Sequence, residues 1–293
     1  MPETLLAAET PRVAVYLDFD NIVISRYDQV HGRSSFQKDK ARGLEKDKLT
    51  AATVDIGAII DFASSFGTLV LTRAYADWST DINADYQSQL VGRAVDLVQL
   101  FPAAAYGKNG ADIRLAVDAV EDMFRLPDLT HVVIVGGDSD YIALAQRCKR
   151  LGRYVVGIGV AGASSRSLAS ACDEFVTYDA LPGIPTVAVA PAPAKKATRR
   201  TKSTEPDDEP EAADTQAAAT GLLERALRIG HEKDDADWLH NSAVKAQMKR
   251  MDPSFSEKSL GFRSFSDFLR SRAEVVELDE SSTTRMVRLR DKA

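Results

Sequence analysis

The chain is poor in the residues that build extracellular and metal–sulfur scaffolds. It holds only two cysteines, Cys148 and Cys172, and four histidines in 293 residues. That excludes a disulfide framework and a Cys/His zinc set; a single bridge would need the fold to join the two thiols. No run approaches the ~20 apolar residues of a membrane span. Met1 to Ala8 is short and carries Glu3, so it is not read as a signal peptide. These absences point to a soluble protein of a reducing, cytoplasmic compartment. An excess of basic residues is also missing. The formal net charge is −6, and the negative excess lies in residues 1–183, with 24 acidic against 18 basic residues. Taken globally this argues against nucleic-acid binding. Clustered at one site, however, such an excess calls for divalent cations.

What is present centres on Val132-Val133-Ile134-Val135-Gly136-Gly137-Asp138-Ser139-Asp140. Four β-branched residues read as a strand buried on both faces. Two glycines end it, two aspartates follow, and Tyr141 to Leu151 continues at helical spacing. Other segments repeat the alternation. Strands are predicted at Val13 to Phe19, Thr68 to Ala76, Leu100 to Tyr106, Tyr154 to Val160 and Glu174 to Tyr178. Helices are predicted at Val54 to Phe66, Asn83 to Leu97, Ala111 to Phe124 and Ser164 to Ala171. Arg26 to Lys48 is charged and aperiodic and reads as a surface insertion or flap. The pattern predicts an α/β fold over residues 12–181, a doubly wound and mostly parallel sheet. Residues 182–220 turn Pro/Ala-rich, then basic, then acidic, as a disordered linker does. Residues 221–293 predict three helices and a hairpin (Val275 to Leu278, Met286 to Leu289), a winged helix. Ser264 with Asp267 forms a capping box for its third helix.

In a doubly wound sheet, ligands bind beyond the carboxyl ends of the strands, where the first and fourth strands become neighbours. Asp18, Asp20 and Asn21 close the first strand, Asp138 and Asp140 the fourth, and Asp112 opens the helix at 111–124. Converging carboxylates need cations, and hard oxygen ligands select magnesium or manganese. Such a site activates water and clamps a phosphoryl displacement. Asp20 and Asp140 serve equally well as helix N-caps; Asp138, directly after Gly-Gly, favours a ligand role. For Asp112, a wheel with Ile113, Ala116, Ala119, Val120 and Met123 inward places the carboxylate on the buried side. The same wheel puts Asp118 in solvent, with Arg114 and Asp122. Two alternatives use the same residues. Gly157 to Gly162 matches the dinucleotide pattern G-x-G-x-x-G, but with too little sheet after it. Asp18-Phe19-Asp20 resembles the nucleophile loop of haloacid-dehalogenase-type phosphatases, without a folded cap.

Three motifs in order carry a more specific resemblance. Leu17 to Ile22, Gly110 to Ile113 followed by Leu115 to Asp118, and Gly137 to Tyr141 resemble the signatures of NYN domains, the LabA-like branch of the PIN-like nuclease superfamily. Tyr75 to Trp78 resembles a further stretch of that branch. The resemblance implies metal-binding acids at Asp18, Asp112, Asp138 and Asp140, with Asp20 and Asp118 as weaker candidates, and a polar site residue at Asn21. Where the family commonly has Ser before Gly-Asp and Lys before the second motif's Gly, this chain has Gly136 and Asn109. Leu260 to Leu269 resembles the OST-HTH/LOTUS winged helix, which is associated with RNA binding. The expected activity is therefore a Mg2+- or Mn2+-dependent ribonuclease in which a metal-activated water attacks phosphorus in line. Its RNA would be contacted by Arg73, Lys108, Arg114, Lys245, Lys249 and Arg263. A non-catalytic RNA-binding regulator is the alternative. RNA is the expected partner, a membrane is not, and a homodimer is admissible.

Overall fold

The computed structural model describes residues 10–101, 110–185, 212–234, 236–279 and 285–290. The chain divides into two compact units, residues 1–187 and 188–293.

The first unit is built on a six-stranded sheet of order β3-β2-β1-β4-β5-β6. The strands are β1 (Arg12–Asp18), β2 (Thr68–Ala76), β3 (Asp96–Gln99), β4 (His131–Val135), β5 (Tyr154–Gly159) and β6 (Glu174–Thr177). Every pairing is parallel. The order reverses between β1 and β4, which lie side by side with Leu17 opposite Val135; this is the crevice position of doubly wound sheets. Alternation along β1 sends Val13, Val15 and Leu17 to one core and Ala14 and Tyr16 to the other. Helices α1 (Phe19–His31) and α4 (Ile56–Ser64) cover the first face with Ile22, Val23, Ile56, Ile59 and Ile60. Helices α7 (Ala111–Arg125), α8 (Ile142–Arg150) and α9 (Arg166–Ala171) cover the second with Leu115, Met123, Leu144, Ala145 and Leu168.

Three segments differ from the sequence expectation. The charged stretch after Arg26 is not a flap. Helix α1 runs on to His31, and α2 (Ser35–Lys40) and α3 (Lys46–Ala51) fold back onto it, packing Tyr27 against Phe36 and Ala52. Asp28 holds the turn by accepting from the Phe36 and Ser34 amides, both at 2.8 Å. The helix expected over 83–97 is two short ones, α5 (Asp81–Ala84) and α6 (Gln87–Val91). Ala94 at φ 55° turns the chain out of helical geometry and starts β3 four residues before the expected strand, most of which lies outside the described residues. The glycines at 157 and 159 do not make a nucleotide loop. Both lie inside β5, and a Cβ on them would stand 2.5 Å from Phe175 and 2.0 Å from the Ser164 hydroxyl. Their missing side chains make room for those two residues. Cys148 and Cys172 are both buried free thiols.

The second unit opens with α10 (Ala212–Asp234), so the expected boundary at 220 falls within a helix; most of the expected linker lies outside the described residues. Strand β7 (Leu239–His240), α11 (Asn241–Met251), α12 (Phe265–Arg270), β8 (Val276–Asp279) and β9 (Met286–Leu289) follow. The three strands form a sheet of order β7-β9-β8, one short strand more than the expected hairpin. Leu222, Leu223, Leu227, Met248, Phe268 and Val287 form its core. Ser264 caps α12, accepting from the Asp267 amide at 3.1 Å. Among the described residues no helix is long and apolar enough to cross a membrane.

Candidate active site at the carboxyl edge of the sheet

The site is organised by Asp18, the last residue of β1, which is buried. Being at once a strand end and the N-cap of α1, its carboxylate is aimed along the crevice between β1 and β4. One oxygen accepts from the Asn21 amide at 3.2 Å. The other accepts from the Tyr141 hydroxyl at 2.7 Å. Burial pushes its carboxyl up to about 6, against the lowering effect of those two hydrogen bonds; the charges of Asp20 and Asp112 add to the rise. The Tyr141 hydroxyl is pushed far up by burial and by the charges of Asp18, Asp112 and Asp138. Tyr141 thus stays a neutral donor to Asp18, within the field of Asp112 and Asp138.

The other walls come from two turns. Asn21 reaches across the crevice, its Oδ1 accepting from the Gly137 amide at 3.0 Å, and so ties the turn after β4 to the start of α1. Gly136 is needed here for space: a Cβ would stand 3.0 Å from the Tyr141 ring and 3.4 Å from the Asp18 Cβ. A larger residue would press on the contact that holds Asp18. Asp138 is exposed and accepts from the Asp140 amide at 3.2 Å, capping the short helical turn Ser139–Tyr141. The capping role expected of Asp140 therefore belongs to Asp138, and that expected of Asp20 belongs to Asp18. Asp140 is exposed.

Asp112 sits in the first turn of α7, half-buried. It bears on Asp18 and Tyr141 through its charge. The expected wheel, however, is rotated. Ile113 is 68% exposed, while Asp118 and Asp122 are buried. The reason is a set of donors beneath the helix. Asp118 accepts from Tyr75 Oη at 3.0 Å and from Arg114 Nε at 2.9 Å. Asp122 accepts from Tyr16 Oη at 3.0 Å and pairs with Arg73. Two carboxylates with partners waiting on the sheet are stable inside, and they turn the helix by roughly a quarter of its circumference. Asp118 is therefore not solvated, and it is committed to Tyr75 and Arg114.

Other expected contacts sort the same way. Arg73 is half-buried and tied to Asp122. Arg114 keeps a 59% exposed side chain beside Asp118. Lys108 lies outside the described residues. Lys245 pairs with Glu257 at 2.5 Å. Lys249 is half-buried on the same helix, and Arg263 is exposed. Arg26, at the start of the insertion, is buried against the Tyr178 ring and donates to Gln29 at 2.6 Å.

A polar line beside the site was not anticipated. Asn83, buried, donates to Asp20 at 2.7 Å and to the Asp77 carbonyl at 2.9 Å. Gln99 donates to the Asp77 carboxylate at 2.8 Å. Burial raises the Asp20 carboxyl, moderated by Asn83. The signal available was Asp77 itself, which follows β2 as Asp20 follows β1.

The donors fit a hard divalent cation in kind, since all are carboxylate oxygens. In spacing they do not close a set. Among the described residues, no three Asp, Glu, His or Cys side chains are gathered closely enough to hold a metal ion.

A parallel sheet of this order, with carboxylates at the end of β1, in the turn after β4 and in the first turn of α7, makes the first unit a doubly wound α/β domain with its acids toward the switch point. Residues 12–179 match the NYN domain, and the chain belongs to that family, a branch of the PIN-like nucleases. Residues 214–288 match the OST-HTH/LOTUS domain. Both resemblances drawn from the motifs hold, and the phosphatase alternative loses its support. An uncharacterised protein of Methanocaldococcus jannaschii is 28% identical over 123 residues, covering 42% of this chain and 47% of that protein. The chain thus spans about half the length of that curated relative. A protein of unknown function from Vibrio parahaemolyticus is 21% identical, with a TM-score of 0.40 over 58% of this chain and 94% of that one.

Proposed function

We propose that this protein is a divalent-metal-dependent ribonuclease of the cytoplasm whose OST-HTH/LOTUS domain holds the RNA. The observation that carries the reading is Asp18: a buried carboxylate raised to about 6, with Asp20 and Asp112 adding to its strain. A fold tolerates such a group where function requires it. Asp18, Asp112 and Asp138 would hold magnesium or manganese, with Asp140 beside them. When bound, the ion supplies an activated water and charge neutralisation at the phosphodiester. This chain's own contribution is positional. Tyr141 and the Asn21 amide fix both oxygens of Asp18, and Asn21 fixes the turn that carries Asp138. Arg114, in the first turns of α7 with an exposed side chain beside Asp118, would be the phosphate contact of the first unit. Arg263 and Lys249 are the phosphate contacts of the second unit.

A second reading, RNA binding without cleavage, is favoured by the ungathered acids described above. One assay separates the two. The full chain is incubated with several single-stranded RNAs and manganese, with and without chelator, beside Asp112→Asn and Asp138→Asn. Cleavage abolished by chelator and reduced at least a hundredfold by each substitution is the expected result. Retained RNA binding with no cleavage of any RNA would leave the binding-protein reading in its place.

A further inference from the structure

Helix α7 carries a second apolar stripe, most of which the fold leaves exposed. Its inner face buries Leu115, Ala119 and Met123. On the opposite side Ile113, Val117 and Phe124 are 68%, 57% and 71% exposed, with the partly buried Val120 between them. At ~100° per residue the four fall within about 60° of one another, nearly opposite the buried face. The spacing of four, three and four residues is that of a heptad seam. It also reads the same in both directions. Laid antiparallel against a second copy of itself, the helix sets Ile113 against Phe124 and Val117 against Val120.

The charges beside the stripe select that arrangement. Arg114 and Glu121 line one edge. In an antiparallel pair, each Arg114 faces Glu121 of the second copy, twice over. In a parallel pair this edge of one helix would face the opposite edge of the other, so Arg114 and Glu121 would not meet across the seam. Within one chain Arg114 already contacts Asp118 at 2.9 Å and Glu121 contacts Arg125 at 3.1 Å, so new ion pairs would fix orientation more than affinity. The stripe is apolar and its edge carries both signs, which suits a second copy of the same surface.

We propose that this face of α7 is a homodimer interface, formed by antiparallel pairing with α7 of a second copy of the chain. The helix is 15 residues long. One such pair buries less than the roughly 800 Å² per partner of a standard interface. The dimer it forms is therefore concentration-dependent, with a dissociation constant on the order of micromolar. The claim is independent of the nuclease reading, because its readout is oligomeric state.

Sedimentation equilibrium of the full chain across the micromolar range tests it. The wild-type chain is expected to pass from monomer to dimer. Val117→Glu weakens dimerisation at least tenfold while the circular dichroism spectrum, and so the fold, is unchanged. Glu121→Arg weakens it too, and Arg114→Glu in the same chain restores it. A second measurement fixes the direction of pairing. Chains carrying Val117→Cys and Val120→Cys, when mixed, cross-link in preference to either alone; Cys148 and Cys172 are buried and do not compete. A monomer at every concentration overturns the proposal. So does a dimer indifferent to Val117→Glu, which would assign association to another surface.

Discussion

The strained state of Asp18 has a measurable consequence for stability. Moving a carboxyl from its ordinary 3.8 to about 6 corresponds to about 3 kcal/mol, at about 1.4 kcal/mol per tenfold in proton affinity. The folded value lies above the unfolded one, so folding favours the protonated form. That stabilisation is fully present below about 3.8 and is lost as the pH rises through about 6. Asp18→Asn keeps a similar shape, retains an oxygen to accept a hydrogen bond, and carries no charge at any pH; the Tyr141 hydroxyl can turn to accept from its amide. The variant is therefore expected to gain on the parent by about 2 kcal/mol between about pH 4 and about pH 8. Any constant cost of the substitution cancels in that comparison. The assay is urea unfolding in chelator at both pH values. A Trp238→Phe background is used so that fluorescence comes from Trp78, which is buried in the first unit. A stability difference that does not change with pH would refute the argument. One that shrinks as pH rises would reverse its sign and mean that Asp18 is a stabilising ion.

Two further outcomes follow from the packing. Asp122→Ala leaves the Arg73 guanidinium and the Tyr16 hydroxyl without their shared partner beneath α7. It should cost about 3–5 kcal/mol, read as a fall in the first unit's melting temperature, whereas Glu121→Ala, one residue away and solvent-facing, should change it little. Gly159→Ala places a Cβ about 2.0 Å from the Ser164 hydroxyl and should cost about 1–3 kcal/mol by overpacking. Adding Ser164→Gly should recover part of the loss in a denaturant titration, the contact with Phe175 at 2.9 Å remaining.

The fold was legible because its signals are redundant. The central strands β1, β2, β4 and β5 are apolar runs, whereas the short β3, Asp96–Gln99, carries polar residues at both ends and was missed; the position of β1 beside β4 follows from the way doubly wound sheets reverse. The position of Asp18, Asp112 and Asp138 at the ends of their elements was legible because strand ends and first turns share one edge of such a sheet. What escaped was set by side-chain partners that hydrophobic periodicity does not see. Burial of Asp118 and Asp122 depends on Tyr75, Tyr16 and Arg73, residues distant in sequence whose hydroxyls and guanidinium have no apolar signature. The insertion after Arg26 folds because Asp28, Tyr27 and His31 supply hydrogen bonds, again without periodicity.

The first of these misreadings has a consequence for α7. A wheel drawn from hydrophobicity alone sent Ile113 into the core and Asp118 and Asp122 to water. The structure turns the helix so that these carboxylates meet donors on the sheet and Ile113 faces out, while Val120 stays packed against the edge of the core. An amphipathic helix with polar groups on its buried side is stable only if each is satisfied, and here each is. The same anchoring leaves Ile113, Val117 and Phe124 exposed. Polar anchoring on the inside of α7 thus sets the outward stripe, and a substitution that released Asp118 and Asp122 would disturb it.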